Sequence, residues 1–127
     1  MDLKFTLTPE GIREKTMSLD VDLIINDTSY HEFNITHNLG DMADAAGLYK
    51  AMWRPEELFD DGDFKAKDII PYLRSGVEEL ERPERQTEFL ALAPDNGWGT
   101  FDGLLEIAKA YLVACENLPH ATISVWR

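Results

Sequence analysis

The hydrophobic period of this chain changes from two to 3.6 near Thr36, and that switch constrains its fold more than any other feature. Leu19, Val21, Leu23 and Ile25 alternate with Ser18, Asp20, Asp22 and Ile24, the spacing of a strand with one apolar face. Asn26-Asp27 follows, and both side chains tolerate positive φ and bond to nearby backbone, so a hairpin is expected. The returning strand sets His31, Phe33 and Ile35 on one face and Tyr30, Glu32, Asn34 and Thr36 on the other. Past Thr36 the apolar residues Leu39, Met42, Ala43 and Ala46 recur at helical spacing. Thr36 or Asn38 serves as the N-cap of this helix, and Asp41 falls near the positive end of its dipole. Gly47 interrupts it; Leu48, Tyr49, Met52 and Trp53 form a second short helical turn, which Pro55 ends by pushing Arg54 out of the α region.

The flanking segments extend this plan. Leu3, Phe5 and Leu7 alternate with polar residues and predict a further strand that stops at Pro9. Ile69, Ile70, Leu73, Val77 and Leu80 mark an amphipathic helix, expected to start from an Asp68 N-cap so that Pro71 falls harmlessly in its first turn. Pro83 closes that helix, and Gln86 to Ala93 reads as irregular chain or a short helix carrying Phe89, Leu90 and Leu92. Thr100 caps the longest helix, whose core stripe is Phe101, Leu104, Leu105, Ala108, Tyr111, Leu112 and Cys115. The segment Ala121 to Trp126 is a short alternating strand that joins the sheet. The expected architecture is a single α+β domain of 127 residues. A small antiparallel sheet of N-terminal strands, hairpin and C-terminal strand carries three to four helices packed on one face.

Charge narrows the partners. With 24 acidic against 12 basic side chains the formal net charge is -12, which repels nucleic acid and anionic membrane and favours a basic protein partner. The extreme form of this reading is a nucleic-acid mimic that occupies a basic groove. No apolar run reaches the roughly 18 to 20 residues of a membrane span, the first residues lack a secretion-signal pattern, and the single cysteine has no partner for a disulfide, so a cytoplasmic location is expected. Cys115 lies on the core stripe and reads as a small buried hydrophobe, not a nucleophile.

The residues able to bind or react gather around the period change. His37 and Asn38 stand at a strand-to-helix junction whose N–H groups suit a phosphate or carboxylate, with Asp41 and Trp53 nearby. Arg54 would add a charge, and the Asn96-Gly97-Trp98-Gly99 loop, through Asn96 and Trp98, a second wall with a stacking surface. The plainer alternative makes Thr36 or Asn38 a cap and the two tryptophans packing anchors. The acidic stretch from Glu56 to Asp63 does not match the alternating ligands and fixed glycine of an EF-hand loop. If the strand stays extended, His31 and His37 stand about 20 Å apart, too far to share one metal. No metal and no cofactor is expected, and neither a dinucleotide-binding nor a P-loop glycine pattern is present.

The runs Ile35-Thr36-His37-Asn38-Leu39, Trp53-Arg54-Pro55-Glu56-Glu57 and Asn96-Gly97-Trp98-Gly99-Thr100 resemble those of a group of small proteins encoded by phages and bacterial genomes. The resemblance implies mobile-element biology and no particular reaction. Three functions follow from the residues, in order. The first is a small acidic interaction protein that binds a protein partner without catalysis. The second is a small-molecule or nucleotide-binding module using His37, Asn38, Arg54 and Trp98. The third is an enzyme of unknown class with His37 as acid or base.

Overall fold

The computed structural model describes residues 18–60, 63–94 and 99–127. It opens with the expected hairpin: β1 (Ser18–Ile25) and β2 (Thr28–Thr36) flank Asn26 and Asp27, whose φ angles of 51° and 66° make the two-residue turn. Two successive left-handed residues match the twist of the flanking strands, and asparagine and aspartate adopt that conformation at less cost than most residues. Leu19 faces Ile35, Val21 faces Phe33 and Leu23 faces His31 before the register slips, so that Ile24 faces Ser29 and Tyr30 is the extra residue of a bulge on β2. β3 (Thr122–Trp126) pairs antiparallel with the other side of β1, giving the order β2-β1-β3. The strand expected over Leu3 to Leu7 lies outside the described residues.

Among the described residues five α-helices accompany the sheet. The first two are short, α1 (Gly40–Ala45) and α2 (Tyr49–Trp53), because Gly47 at φ 80° breaks the helical path between them. Arg54 leaves the helix at φ −140°, as the proline after it requires. Next come α3 (Ala66–Leu80), α4 (Gln86–Ala91) and α5 (Phe101–Asn117). Thr100 caps α5, its hydroxyl oxygen accepting the Gly103 N–H at 2.9 Å.

The start of α3 corrects the expectation from sequence. Asp68 is not its N-cap; the helix begins at Ala66, and Asp68 reaches back to accept the Lys65 N–H at 2.8 Å. The N–H groups of Ala66 and Lys67, which no helical carbonyl serves, donate to the carbonyls of Ala121 and Pro119 at 2.9 and 2.8 Å. Tertiary acceptors from the α5–β3 connection therefore extend the helix backwards, and Pro71 lies inside it instead of in the first turn.

Leu19, Val21, Leu23, Ile35 and Ile123 are all buried on one sheet face and join Ile69, Leu73 and Leu80 of α3 and Leu104, Ala108 and Tyr111 of α5 in a single core. Phe33 packs its ring against Tyr111 at 5.5 Å, tying β2 to α5. His31 shares this face but is exposed, stacked toward Phe33 at 6.2 Å. Among the described residues no helix is long and apolar enough to cross a membrane.

Candidate functional site

The junction between β2 and α1 forms one wall of a cleft. Of the two candidate caps it is Thr36 that acts, its hydroxyl oxygen accepting the Asn38 N–H at 3.3 Å as the chain enters a 3-10 turn over His37–Leu39. Leu39 is pulled into the core, which leaves His37 and Asn38 half-exposed beside Gly40, Asp41, Asp44 and Tyr49. These six face the end of α4 and the residues after it, Ala91 to Pro94, across a cleft of about 830 Å³.

Trp53 holds the histidine from behind. Its indole Nε1–H donates to His37 Nδ1 at 2.9 Å, and the indole, only 2% exposed, stacks on Tyr49 with ring centroids 5.4 Å apart and planes 9° from parallel. An indole N–H only donates, so Nδ1 is the unprotonated nitrogen and the neutral imidazole carries its proton on Nε2. The carbonyl of Trp53 accepts the Arg127 Nη1–H at 2.8 Å, and Arg127 also pairs with Glu56 at 3.0 Å. Trp53 is thus part packing anchor, as the plainer reading held, and part support for a half-exposed histidine.

The other expected site residues separate. Asp41 lines the cleft; Arg54 does not, its guanidinium pairing instead with Glu57 at 3.4 Å. The nearby Tyr49 hydroxyl first, and Glu57 after it, hold the Arg54 proton more firmly than is usual for arginine. Asn96 and Trp98 lie outside the described residues. Their flanks meet the junction nonetheless: Pro94 lines the cleft, and Gly99, at φ 115°, lies so close that a Cβ there would stand 2.9 Å from Leu39 Cγ and 3.0 Å from Thr36 Cγ2.

The charge of the cleft is opposite to the phosphate or carboxylate site expected from sequence. Asp41 and Asp44 stand one helical turn apart on α1, both exposed, and neither has an ion-pair partner among the described residues. Among the described residues no lysine or arginine lines the cleft, and α1 is only six residues long, too short for its dipole to offset two carboxylates. Sequence reasoning missed Asp44, Tyr49 and the Ala91–Pro94 wall. The i, i+3 spacing of Asp41 and Asp44, opposite the buried Met42, Ala43 and Ala46, was the available signal for Asp44.

Arg85 fixes the two walls relative to each other. Its Nη2 donates to the Ala45 carbonyl at the end of α1 at 3.0 Å and to Glu88 of α4 at 2.6 Å, while Nη1 reaches Glu79 of α3 at 2.7 Å. The guanidinium also lies 4.6 Å from the centre of the Phe89 ring. Among the described residues no serine, threonine or cysteine lines the cleft beside His37. Cys115 is fully buried in α5, with its thiol pushed up to about 12 by burial and, after that, by Glu116. Among the described residues no three His, Cys, Asp or Glu side chains gather as metal ligands.

Comparison with family models, with curated proteins and with solved structures returned no match. The likeness of the sequence runs to small phage and bacterial proteins gains no support from them.

Proposed function

We propose that this protein is a non-catalytic binding protein whose cleft takes a positively charged segment of a partner protein. One observation carries the reading: Asp41 and Asp44 stand without a cation in a concave site, facing an apolar wall that includes the exposed Leu92. Elsewhere in the described structure Arg54, Arg74, Arg82, Arg85, Lys109 and Arg127 each pair with a glutamate. The cleft carboxylates are left to an outside cation.

The energetics favour a polypeptide segment over a lone ion. An exposed ion pair contributes only about 0–1 kcal/mol, so charge alone gives weak binding. Covering apolar area adds about 25 cal/mol per Å², and a segment that sets an aliphatic group on Leu92 and Ala93 while its cations meet the aspartates gains both terms. The net charge of -12 speeds the approach of such a segment and repels acidic competitors.

The test is a titration of the isotope-labelled chain, observed by NMR, with a short acetylated peptide of alternating lysine and leucine and with its glutamate counterpart. The basic peptide should shift the amides of residues 37–44 and 91–94, weaken with added salt, and lose its effect on Asp41→Asn/Asp44→Asn. Equal shifts from both peptides, or shifts confined to other surfaces, would sink the reading.

A further inference from the structure

We infer that the outer edge of β2 is the surface on which a second copy of this chain pairs, strand against strand, so that the two three-stranded sheets become one. The inference does not depend on the reading of the cleft. The order β2-β1-β3 leaves β2 at a margin, and among the described residues nothing pairs with its outer side. In an antiparallel ladder every second residue of a marginal strand turns its N–H and C=O outward, so a strand of nine residues offers about four of them to a newcomer.

The two margins of the sheet differ. Edge strands are protected against such pairing by shortness, by lysine or proline, or by a bulge. β3 has two of these devices: it is five residues long, and the Lys65 Nζ stands against it, donating to the Thr122 hydroxyl at 3.1 Å. β2 is nine residues long and contains no lysine, arginine or proline. Its bulge at Tyr30 lies near the turn and leaves His31 to Thr36 in regular register with β1. Thr28 to Glu32 are all exposed, Tyr30 to 57%, and Phe33 beside them is half-buried. Aromatic side chains of this kind are enriched where protein surfaces meet.

Charge and register select a second copy as the occupant. Of the 24 acidic residues only Glu32 lies on β2, so two chains of net charge -12 meet here with one carboxylate each in the contact. The bulge-free run His31 to Ile35 is symmetric about Phe33. A two-fold axis centred on Phe33 sets that ring against Phe33 of the second copy, His31 against Ile35, and Glu32 against Asn34, an amide instead of a carboxylate. Centring the axis on Glu32 would set two carboxylates face to face, which is unfavourable.

Sedimentation equilibrium of the full chain, from micromolar to millimolar concentration, should show one chain passing to two. Added salt should tighten this association, because it screens two like-charged chains; a basic peptide in the cleft responds in the opposite sense. In a mixture of labelled and unlabelled chains, isotope-filtered NMR should find the Phe33 ring of one copy against that of the other. Asn34→Lys places a cation opposite Glu32 at two symmetric positions and should tighten association about tenfold. Glu32→Lys/Asn34→Lys sets lysine opposite lysine and should leave a single chain at every concentration. A chain that stays single throughout, or a dimer that lacks the Phe33 contact and is moved by neither substitution, would overturn the inference. So would hydrogen exchange showing every β2 amide already protected in the single chain, which would give the edge an occupant from the same chain.

Discussion

Replacing Gly76 with alanine sets two effects against each other. Gly76 lies inside α3, where alanine is favoured over glycine by about 1 kcal/mol on helix propensity alone. Packing opposes the change. A Cβ at this position would overlap Cγ and Cδ2 of Leu48 and stand 3.2 Å from its Cδ1, so the branch point of the side chain is in the way and not merely one methyl. Leu48 is 0% exposed and belongs to the core cluster, so it cannot swing out to solvent without leaving its packing. Overpacking of this kind costs about 1–3 kcal/mol; taking the upper end and subtracting the propensity gain leaves a net loss of about 2 kcal/mol. For a domain of this size that lowers Tm by roughly 6–10 °C. Leu48→Ala alone should cost about 2–5 kcal/mol through the cavity it opens. In the double variant the new methyl at 76 fills part of that cavity, so the two losses should fall short of additive by about 1–2 kcal/mol. Urea unfolding followed by tryptophan fluorescence, with calorimetry as a check, measures all four corners of the cycle. A Gly76→Ala chain as stable as the parent, or strict additivity, would refute the claim that Leu48 is seated on the bare backbone of α3.

Other outcomes follow from single buried or paired groups. The Tyr111 hydroxyl is buried without a hydrogen-bond partner, an arrangement that costs about 1–3 kcal/mol, so Tyr111→Phe should raise stability by about 1 kcal/mol in the same unfolding assay; a clear loss would show that the hydroxyl is partnered. Cys115, buried and with its thiol raised to about 12, should react with an aromatic disulfide reagent only as fast as the chain unfolds, and rapid labelling of the folded protein would contradict its burial. The Arg85 guanidinium, through its hydrogen bonds, holds the carboxyls of Glu88 and, with Arg82, of Glu79 below their ordinary value of 4.5. Folded values below the unfolded one mean that this contribution to stability is complete above pH 4.5 and disappears as pH falls through the folded values. Arg85→Met should therefore flatten the acid limb of a stability–pH profile, an effect kept small by the exposure of these groups, and profiles that stay parallel would refute it. Thr100→Ala, which removes the acceptor for the Gly103 N–H, should cost about 1 kcal/mol, measured by thermal unfolding.

The parts of the fold that were legible in the sequence are those set by local chemistry. Alternation from Leu19 to Ile25 and the Asn26-Asp27 turn depend on neighbours within a few positions and are present in the structure; of the α5 stripe, Phe101, Leu104, Ala108, Tyr111 and Cys115 are buried, Leu105 and Leu112 are half-buried against the core, and Ala114 joins them. What was missed depends on distant partners. α3 starts two residues before Asp68 because carbonyls at 119 and 121 accept its first N–H groups, and nothing near Ala66 in the sequence announces them. Of the expected site residues, His37, Asn38 and Asp41 line the cleft, and Arg54 was misplaced for the same reason as the start of α3. Arg54 and Asp41 are both charged and both follow the period change, yet the C-terminal turn of α2 directs one toward Tyr49 and Glu57 while α1 leaves the other at the cleft. Tyr49 fell on an apolar stripe and read as core, although its ring is half-exposed and lines the cleft with a buried indole behind it.

The position of the unpaired carboxylates bears on how binding by the cleft would depend on conditions. Six of the basic side chains are engaged with glutamates, so the field of the net -12 charge is set by acidic groups left over, and most of those lie on open surface where salt screens them within about 10 Å at 0.1 M. Asp41 and Asp44 differ in having a second wall, Ala91 to Pro94, that excludes water from one side and focuses their potential into the cleft. Remote acidic residues should then govern how fast a cationic segment arrives, and the two cleft aspartates how long it stays. Neutralising Glu78 and Glu106, exposed residues on α3 and α5, should slow association and reduce its salt dependence with little change in dissociation. Asp44→Asn should do the reverse. Stopped-flow measurement with the basic peptide separates the two rates, and a change in association alone from Asp44→Asn would place binding somewhere other than this cleft.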